Sequence, residues 1–466
     1  MQIPLTLGAY EGRSSNLNAE KCINFYTVLD REGGKYQSAL FGRPGLKEFC
    51  DLAHLHEIRQ AYVFGGFLFA LCGDTLYRIT TAGVATLIGV VGTTTGHAWM
   101  ADNGTQLMIV AGTSGYIYEA GALAVIADAD FPAASSLAYQ DGYFIVTRSG
   151  TGEIYISDLY GGTVWDALDY ATAEGSPDDA LAVLSDHREL WIMGEQTSEV
   201  FYNSGNVDFP FERYPGAYIE RGIGAAGSLA KADNSVFFLD NHGMVDRIDA
   251  YTPKYISTRQ IDYQISKLGT ISDAIGFAYV QEGHTFYVLT FPTGDKTFCY
   301  DVATGLWHEL TSYVLNDVRQ GRWRANCYAF FNNKHIVGDF ENGKLYELDF
   351  DTYTDNGEPL RSVATTQAIH KDRKRVFFHS LELEFEAGVG LIAGDDPQAM
   401  LRWSDDGGHT WSNEHWAGIG KIGEYKDRAI WNRLGQSRNR VFEVAIGDPV
   451  KRRILAAFVN VSLGVS

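Results

Sequence analysis

The sequence predicts an all-β protein: a β-propeller of about seven blades, preceded by an N-terminal arm and followed by a small C-terminal antiparallel β-sandwich. Three observations carry that expectation. Aromatics make up 13% of the chain and glycines number 50, which suits pleated surfaces joined by tight turns, since Gly supplies the positive φ that such turns need. A strand–turn–strand pattern recurs along most of the chain. Long helical periodicity is almost missing, which argues against a βαβ fold.

Residues 1–56 do not share the repeat and read as an arm with one strand, CINFYTVLD. From residue 57 to 355 seven segments show hairpin grammar. They are Phe67 to Ile79, Gln106 to Glu119, Gly142 to Ser157, Glu189 to Tyr202, Ser235 to Ile248, His284 to Asp301 and His335 to Asp349. Each is an apolar run, then Gly, Asp, Asn or Ser turn chemistry, then a second run that usually carries Tyr or Phe. The second runs recur at roughly 40–50 residues, the period of propeller blades. One hairpin cannot bury its apolar face alone, whereas radial stacking buries both faces and leaves only short edges. Uneven spacing leaves room for an extra half-blade around Ile256 to Ile275. The competing all-β reading is a long irregular sandwich or prism. The polar, turn-rich stretch Asp351 to Ser362 reads as a linker. Beyond it, from 360 to 466, RVFFHSLELEFEAGVG alternates apolar and polar residues, as a half-buried strand does. Two further strand-like runs complete the expected sandwich.

The formal charge is −20 with a pI near 5.0. Such a surface repels phosphate, so no sequence-independent grip on nucleic acid is expected, although DNA could slide past without sticking. The five cysteines (Cys22, Cys50, Cys72, Cys299, Cys327) fit no zinc spacing and read as free buried thiols of a chain made in a reducing cytoplasm. The N-terminus lacks the basic region and apolar run of a signal peptide. No apolar stretch reaches the roughly 18 residues that span a bilayer. A soluble chain with no membrane contact is the expectation.

The sharpest motif is SDDGGHTW, in which Ser404, Asp406, Gly408, Thr410 and Trp411 fit the S-x-D-x-G-x-T-W pattern of an Asp box. Its physical content is a hairpin turn: the carboxylate collects backbone N–H groups, Gly permits the turn and Trp packs beneath. Asp boxes occur in sialidases and in many non-catalytic β proteins, so the motif reads as structural. A loosened copy, Ser157, Asp158, Gly161, Gly162 and Trp165, precedes a run of carboxylates: Asp166, Asp169, Glu174, Asp178 and Asp179. A glycosidase pair or a calcium loop is the sharp reading of that run. D-x-D-x-D-G is absent, and glycosidase carboxylates usually come from separate strands, so a solvated loop is the default. G-x-S-x-G, H-E-x-x-H and G-x-x-x-x-G-K-[ST] are all missing. No catalytic residue, metal site or cofactor is expected. His242 and His284 fall at or beside turns and read as polar turn residues. The basic cluster Lys371, Arg373, Lys374 and Arg375 stands out in an acidic chain, with a second, Lys451 to Arg453, nearby in sequence. It reads either as a contact patch for an acidic partner or for DNA, or as an ordinary solvated loop.

Three blocks together resemble the packaged-DNA stabilisation proteins, or tail accessory factors, of short-tailed bacteriophages. The first is NAEKCINFYTVLD with ALFGRPGLKEF (Asn18 to Asp30, Ala39 to Phe49). The second and most specific is Trp165 to Asp179 with Glu189 to Ala225, where E-x-T-x-E precedes an aromatic strand, then F-P-F-x-R and a Gly-rich stretch. The Asp box is the third. The resemblance implies a virion protein of the tail, assembled in the host cytoplasm. It implies a ring of six copies beneath the portal and its adaptor, with docking surfaces for receptor-binding tailspike or fibre proteins. It offers no active site.

The leading expectation is therefore a non-enzymatic tail hub or stopper that retains packaged DNA, forms part of the ejection channel and docks receptor-binding proteins. The alternative is a sialidase-like or lectin-like propeller that acts on glycans. That reading needs converging arginines, for which Arg148, Arg188, Arg213, Arg221 and Arg247 are the candidates.

Overall fold

A computed structural model describes residues 2–464, apart from 6–7, 9–11, 14–18, 31, 174, 176, 208, 315–318, 373 and 389–395. The chain is a β-propeller joined to a β-sandwich. Six blades are each built from four consecutive antiparallel strands. They run from Ile58–Phe64 to Ala85–Val90, Ala98–Asp102 to Ala122–Val125, Ala134–Gln140 to Trp165–Thr172, Ala180–Asp186 to Phe211–Ile219, Ala230–Ala232 to Thr252–Tyr255, and Ile275–Gln281 to Leu306–Glu309.

Six is one fewer than the seven hairpins predict, and the reason is chain economy. The seventh hairpin supplies only three strands, Ala325–Phe331, Lys334–Asp339 and Lys344–Asp349. The fourth comes from the arm: Gly45–Asp51 pairs antiparallel with the last of them, from Lys344↔Asp51 to Asp349↔Gly45. This composite sheet closes the ring. Ile58 and Ala61 of the first blade share an apolar cluster with Cys327 and Ala329 of the composite sheet.

The second strand of each blade is apolar on both faces, as in FLFALC, LMIVA and SVFFL. Both faces meet a neighbouring blade, so alternation is lost as it is in other doubly covered strands. Buried alanines such as Ala98, Ala134, Ala182 and Ala230 mark the innermost strands, where blades converge. All five cysteines are free and buried. Burial pushes Cys22, Cys72 and Cys327 up to about 12 and Cys50 up to about 11.

The segment Ile256 to Ile275 is not a half-blade. It holds the helix Arg259–Ser266, capped by the Thr258 hydroxyl, which accepts the amide of Ile261 at 3.4 Å. Ile261 and Ile265 stack one turn apart and pack onto Phe237 and Leu289.

The sandwich takes strands from both ends of the chain. One sheet runs Phe25–Leu29, Ser38–Gly42, Arg453–Leu463, Val376–Phe385, Ala429–Asn432, with Gln2–Ile3 also paired to Arg453–Leu463. The other runs Ser362–Thr365, Asn439–Ile446, Gln398–Ser404, His415–Gly418. Through Cys22–Ile23 the second sheet continues into the sixth blade, because Ile23 pairs with Val363 on one side and Glu309 on the other. Phe378 and Phe442 meet edge to face across the core, with ring centroids 5.6 Å apart.

Candidate functional site

The densest polar constellation lies where arm, composite sheet and sandwich meet. Its centre is Arg43, in the G-R-P-G turn of the arm. Its Nε donates to Asn24 Oδ1 at 2.9 Å, and its two terminal nitrogens donate to Asp355 Oδ1 and Oδ2 at 3.0 and 2.6 Å. The same nitrogens reach the carbonyls of Pro44 and Thr311 at 3.0 and 2.9 Å. Ser312 Oγ donates to Asp355 Oδ2, and the Asn24 amide bridges Thr311 and the Arg361 carbonyl. Arg43 and Asp355 are 3% and 1% exposed, so both charges depend on these partners. The flanking glycines permit the approach. A Cβ on Gly45 would lie 2.3 Å from the Thr352 carbonyl, and one on Gly42 would lie 2.9 Å from Arg452 Cβ. The stretch read as a linker is thus buried at Asp355 and Leu360 and pinned to the arm. Arg452 stands beside this seam, donating to the Tyr353 and Leu360 carbonyls at 3.1 and 3.2 Å. Burial and the nearby charge of Arg43 pull it down to about 10.

The central signature block closes on itself in the fourth blade. Glu199 of E-x-T-x-E is buried and accepts from Arg213 of F-P-F-x-R at 2.7 Å and from the Gly175 amide at 2.6 Å. Asp178 accepts the amides of Gln196 and Thr197 at 2.7 and 2.9 Å. Two members of the carboxylate run, Asp166 and Asp178, therefore serve backbone turns; Glu174 lies outside the described residues.

Asp406 accepts the amides of His409 and Thr410 at 3.0 and 2.9 Å, and the hydroxyls of Ser404 and Thr410 at 2.7 and 2.6 Å. Those hydrogen bonds, the Thr410 hydroxyl first, hold its carboxyl well below the usual carboxylate range. Gly408 N donates to Ser404 Oγ, and Trp411 Nε1 donates to Gly408 O at 3.2 Å. The loosened copy keeps only that last contact, Trp165 Nε1 to Gly162 O at 3.0 Å. The neighbouring Asp405 binds Arg440 bidentately at 2.6 and 2.7 Å, and Arg440 lies over Phe378 and Trp403.

Lys371, Lys374 and Arg375 are exposed on the turn between Ile369–His370 and Val376–Phe385; Arg373 lies outside the described residues. Lys451 and Arg453 do not join them as a patch, since both bind Glu386, at 2.6 and 3.0 Å. His242 is a largely exposed turn residue. His284 is instead buried and bonded to Asp301 at 2.9 Å.

The five candidate arginines are held by five different groups. Arg148 pairs with Glu153, Arg188 with Asp141, Arg213 with Glu199, Arg221 with Asp246 and Arg247 with Asp233. A cavity of about 390 Å³ opens where the innermost strands begin, lined by Glu57, Arg59, His97, Trp99 and Asp273. Arg59 spends its donors on the carbonyls of Gly73, Thr93 and Gly96, which ties the first blade to the second. Burial and the Arg59 charge push His97 down to about 4. Among the described residues no group of three or more His, Cys, Asp or Glu has the arrangement to hold a metal, and no helix is long and apolar enough to cross a membrane.

Comparison with known proteins gives two family matches. Residues 1–353 match the family described as bacteriophage P22 Gp10, beta-propeller, and residues 361–462 match bacteriophage P22 Gp10, beta-sandwich. No curated protein matches the chain. Solved structures that are similar include the extracellular domain of a putative one-component system from B. thetaiotaomicron, at 12% identity, covering 92% of this chain and 62% of that one, with a TM-score of 0.44. The Neurospora crassa Pan2 WD40 domain is 6% identical, covering 66% and 96%, with a TM-score of 0.42.

Proposed function

This chain belongs to the phage stabilisation family of bacteriophage P22 Gp10, and on that premise we propose that it is a tail hub and stopper at the portal vertex. In this reading it retains packaged DNA, forms part of the ejection channel and docks receptor-binding tailspike or fibre proteins. Six copies form a ring beneath the portal and adaptor proteins, through heterologous contacts around a closed cycle. The chain works in the virion tail and assembles in the host cytoplasm, a compartment that suits its five free thiols.

The observation that carries the proposal is the interlock at Arg43. A stopper holds a pressurised channel, so its parts must not slip. Here the arm contributes a strand to the composite sheet and four to the sandwich sheets, and Arg43 locks the crossing point. Parting the two units requires breaking both ladders and exposing a buried ion pair. The net charge of −20 supports the channel role, because an acidic wall lets DNA move past without binding it. Lys371, Lys374 and Arg375, exposed on one sandwich turn, are the proposed contact for an acidic partner surface. The Asp box is read as turn structure within that same unit, with no chemical role.

Electron microscopy of particles made without this chain tests the proposal. Heads that package DNA and then lose it are the expected result. Full, stable particles that fail only on glycan-coated hosts would overturn it in favour of a glycan-acting propeller.

A further inference from the structure

A second buried cluster of charge lies in the fifth blade, around Asp246. Asp246, on the strand Val245–Asp249, and Asp240, in the turn before it, are both fully buried. Neither oxygen of Asp246 accepts a hydrogen bond, and the same holds for Asp240 Oδ2 and for Asp262 Oδ1 on the helix Arg259–Ser266. Asp240 Oδ1 takes the amides of His242 and Met244 at 2.9 and 2.7 Å. Among the described residues the guanidinium at this cluster is Arg221, from the fourth-to-fifth blade connection, with Nε 3.2 Å from Asp246 Oδ2 and 4.0 Å from Asp240 Oδ2. Its contact with Asp246 lacks hydrogen-bond geometry. Arg221 also lies over the Tyr255 ring, 4.8 Å from its centroid. The mostly exposed His242 has Nδ1 3.8 Å from Asp240 Oδ2.

Two fully buried carboxyls, Asp240 and Asp246, therefore face one guanidinium, with the charge of Asp262 on the helix beside them. One cation cannot neutralise two fully buried carboxylates with a third charge nearby. Asp246 is the member with no hydrogen-bond donor on either oxygen. We propose that Asp246 is a proton-held latch: with its proton on, the helix Arg259–Ser266 and the Arg221 connection stay closed over the fifth blade, and as the proton leaves they loosen. Burial first, and then the charge of Asp240, push the Asp246 carboxyl up to about 7, with Arg221 opposing. Asp262 is raised too, by burial first, with a Ser257 hydrogen bond opposing and the charge of Asp240 adding to it.

The sign follows from linkage. A carboxyl raised from 3.8 to about 7 in the closed state stabilises that state fully below the lower value and loses its contribution as pH rises to the upper one. Opening of residues 256–268 is expected to grow about tenfold per pH unit across that interval and to level off above it.

Hydrogen exchange on the full chain, corrected for intrinsic exchange rates, reads this directly. The wild type should show the rise in residues 256–268 between about pH 4.5 and pH 7. Asp246→Asn, which fixes the neutral form, should show none and should be better protected than wild type at about pH 8. An equal slope in the variant, or no slope in the wild type, overturns the latch. Should Asp246→Asn fail to fold, infrared titration of the wild type decides. The protonated-carboxyl band should disappear through about pH 7, and its absence at about pH 5.5 would overturn the proposal.

Discussion

Replacing Arg43 by methionine keeps the length of the side chain and removes its charge and all its donors. Five hydrogen bonds go with it: one to Asn24, two to Asp355 and one each to the carbonyls of Pro44 and Thr311. Asp355 keeps Ser312 Oγ at 2.7 Å but stays 1% exposed, so its charge has lost its counter-ion without gaining water. Removing one member of such a buried pair typically costs about 3–5 kcal/mol. At 1.4 kcal/mol per factor of ten, the unfolding constant of the affected unit should rise by a factor on the order of 10² to 10³. Chemical denaturation followed by tryptophan fluorescence is the assay. The sandwich and the sixth blade have distinct apolar clusters that meet where Tyr26 packs on Phe286, so the transition need not be two-state, and an unfolding rate replaces the equilibrium constant if refolding fails. The double variant Arg43→Met, Asp355→Leu removes both charges and should recover most of the loss, because apolar replacement of a whole buried pair is often neutral. A single variant within about 1 kcal/mol of wild type, or a double variant no better than the single, refutes the reasoning.

Three further outcomes are expected. Gly45→Ala drives a Cβ to 2.3 Å from one backbone carbonyl and 2.6 Å from another, at Thr352 and Thr354; the ladder of Gly45–Asp51 should weaken by about 1–3 kcal/mol, read as faster proteolysis of the arm. Asp406→Ala should lower the melting midpoint of the sandwich at neutral pH. Because the Asp406 carboxyl is held below its ordinary 3.8, its contribution is present above that value and lost as pH falls beneath it, so the wild type and variant midpoints should converge in acid. Changing Lys371, Lys374 and Arg375 together to glutamate should leave the melting midpoint unchanged, since all three are exposed, and should reduce incorporation into particles; normal incorporation would show that this turn is only a solvated loop.

Local features were legible in the sequence and long-range ones were not. Each of the seven hairpins is the central pair of a sheet, because a two-strand unit and its turn are written within a short window. The Asp box was readable for the same reason: Asp406 finds its partners within four residues. The blade count slipped because the composite sheet borrows its fourth strand from the arm. Asp351 to Ser362 looked like a linker because the partner of Asp355, Arg43, lies 312 residues away. The helix at Arg259–Ser266 has only eight residues, with two buried isoleucines, too short a run to show a period of 3.6. The signature E-x-T-x-E and F-P-F-x-R was visible as a resemblance, but only the fold shows that Glu199 and Arg213 are in it to hold each other.

The strand Gly45–Asp51 also sets a schedule. It leaves the ribosome before any blade exists, and its partner Lys344–Asp349 follows nearly three hundred residues later. Until then the strand has an open edge, and six nascent blades wait beside a gap. Contacts so far apart in sequence close slowly and leave an aggregation-prone intermediate. A chain that stops short of Asp355 can neither shut its ring fully nor build the Arg43 crossing, so most of the chain must be present before either unit is complete.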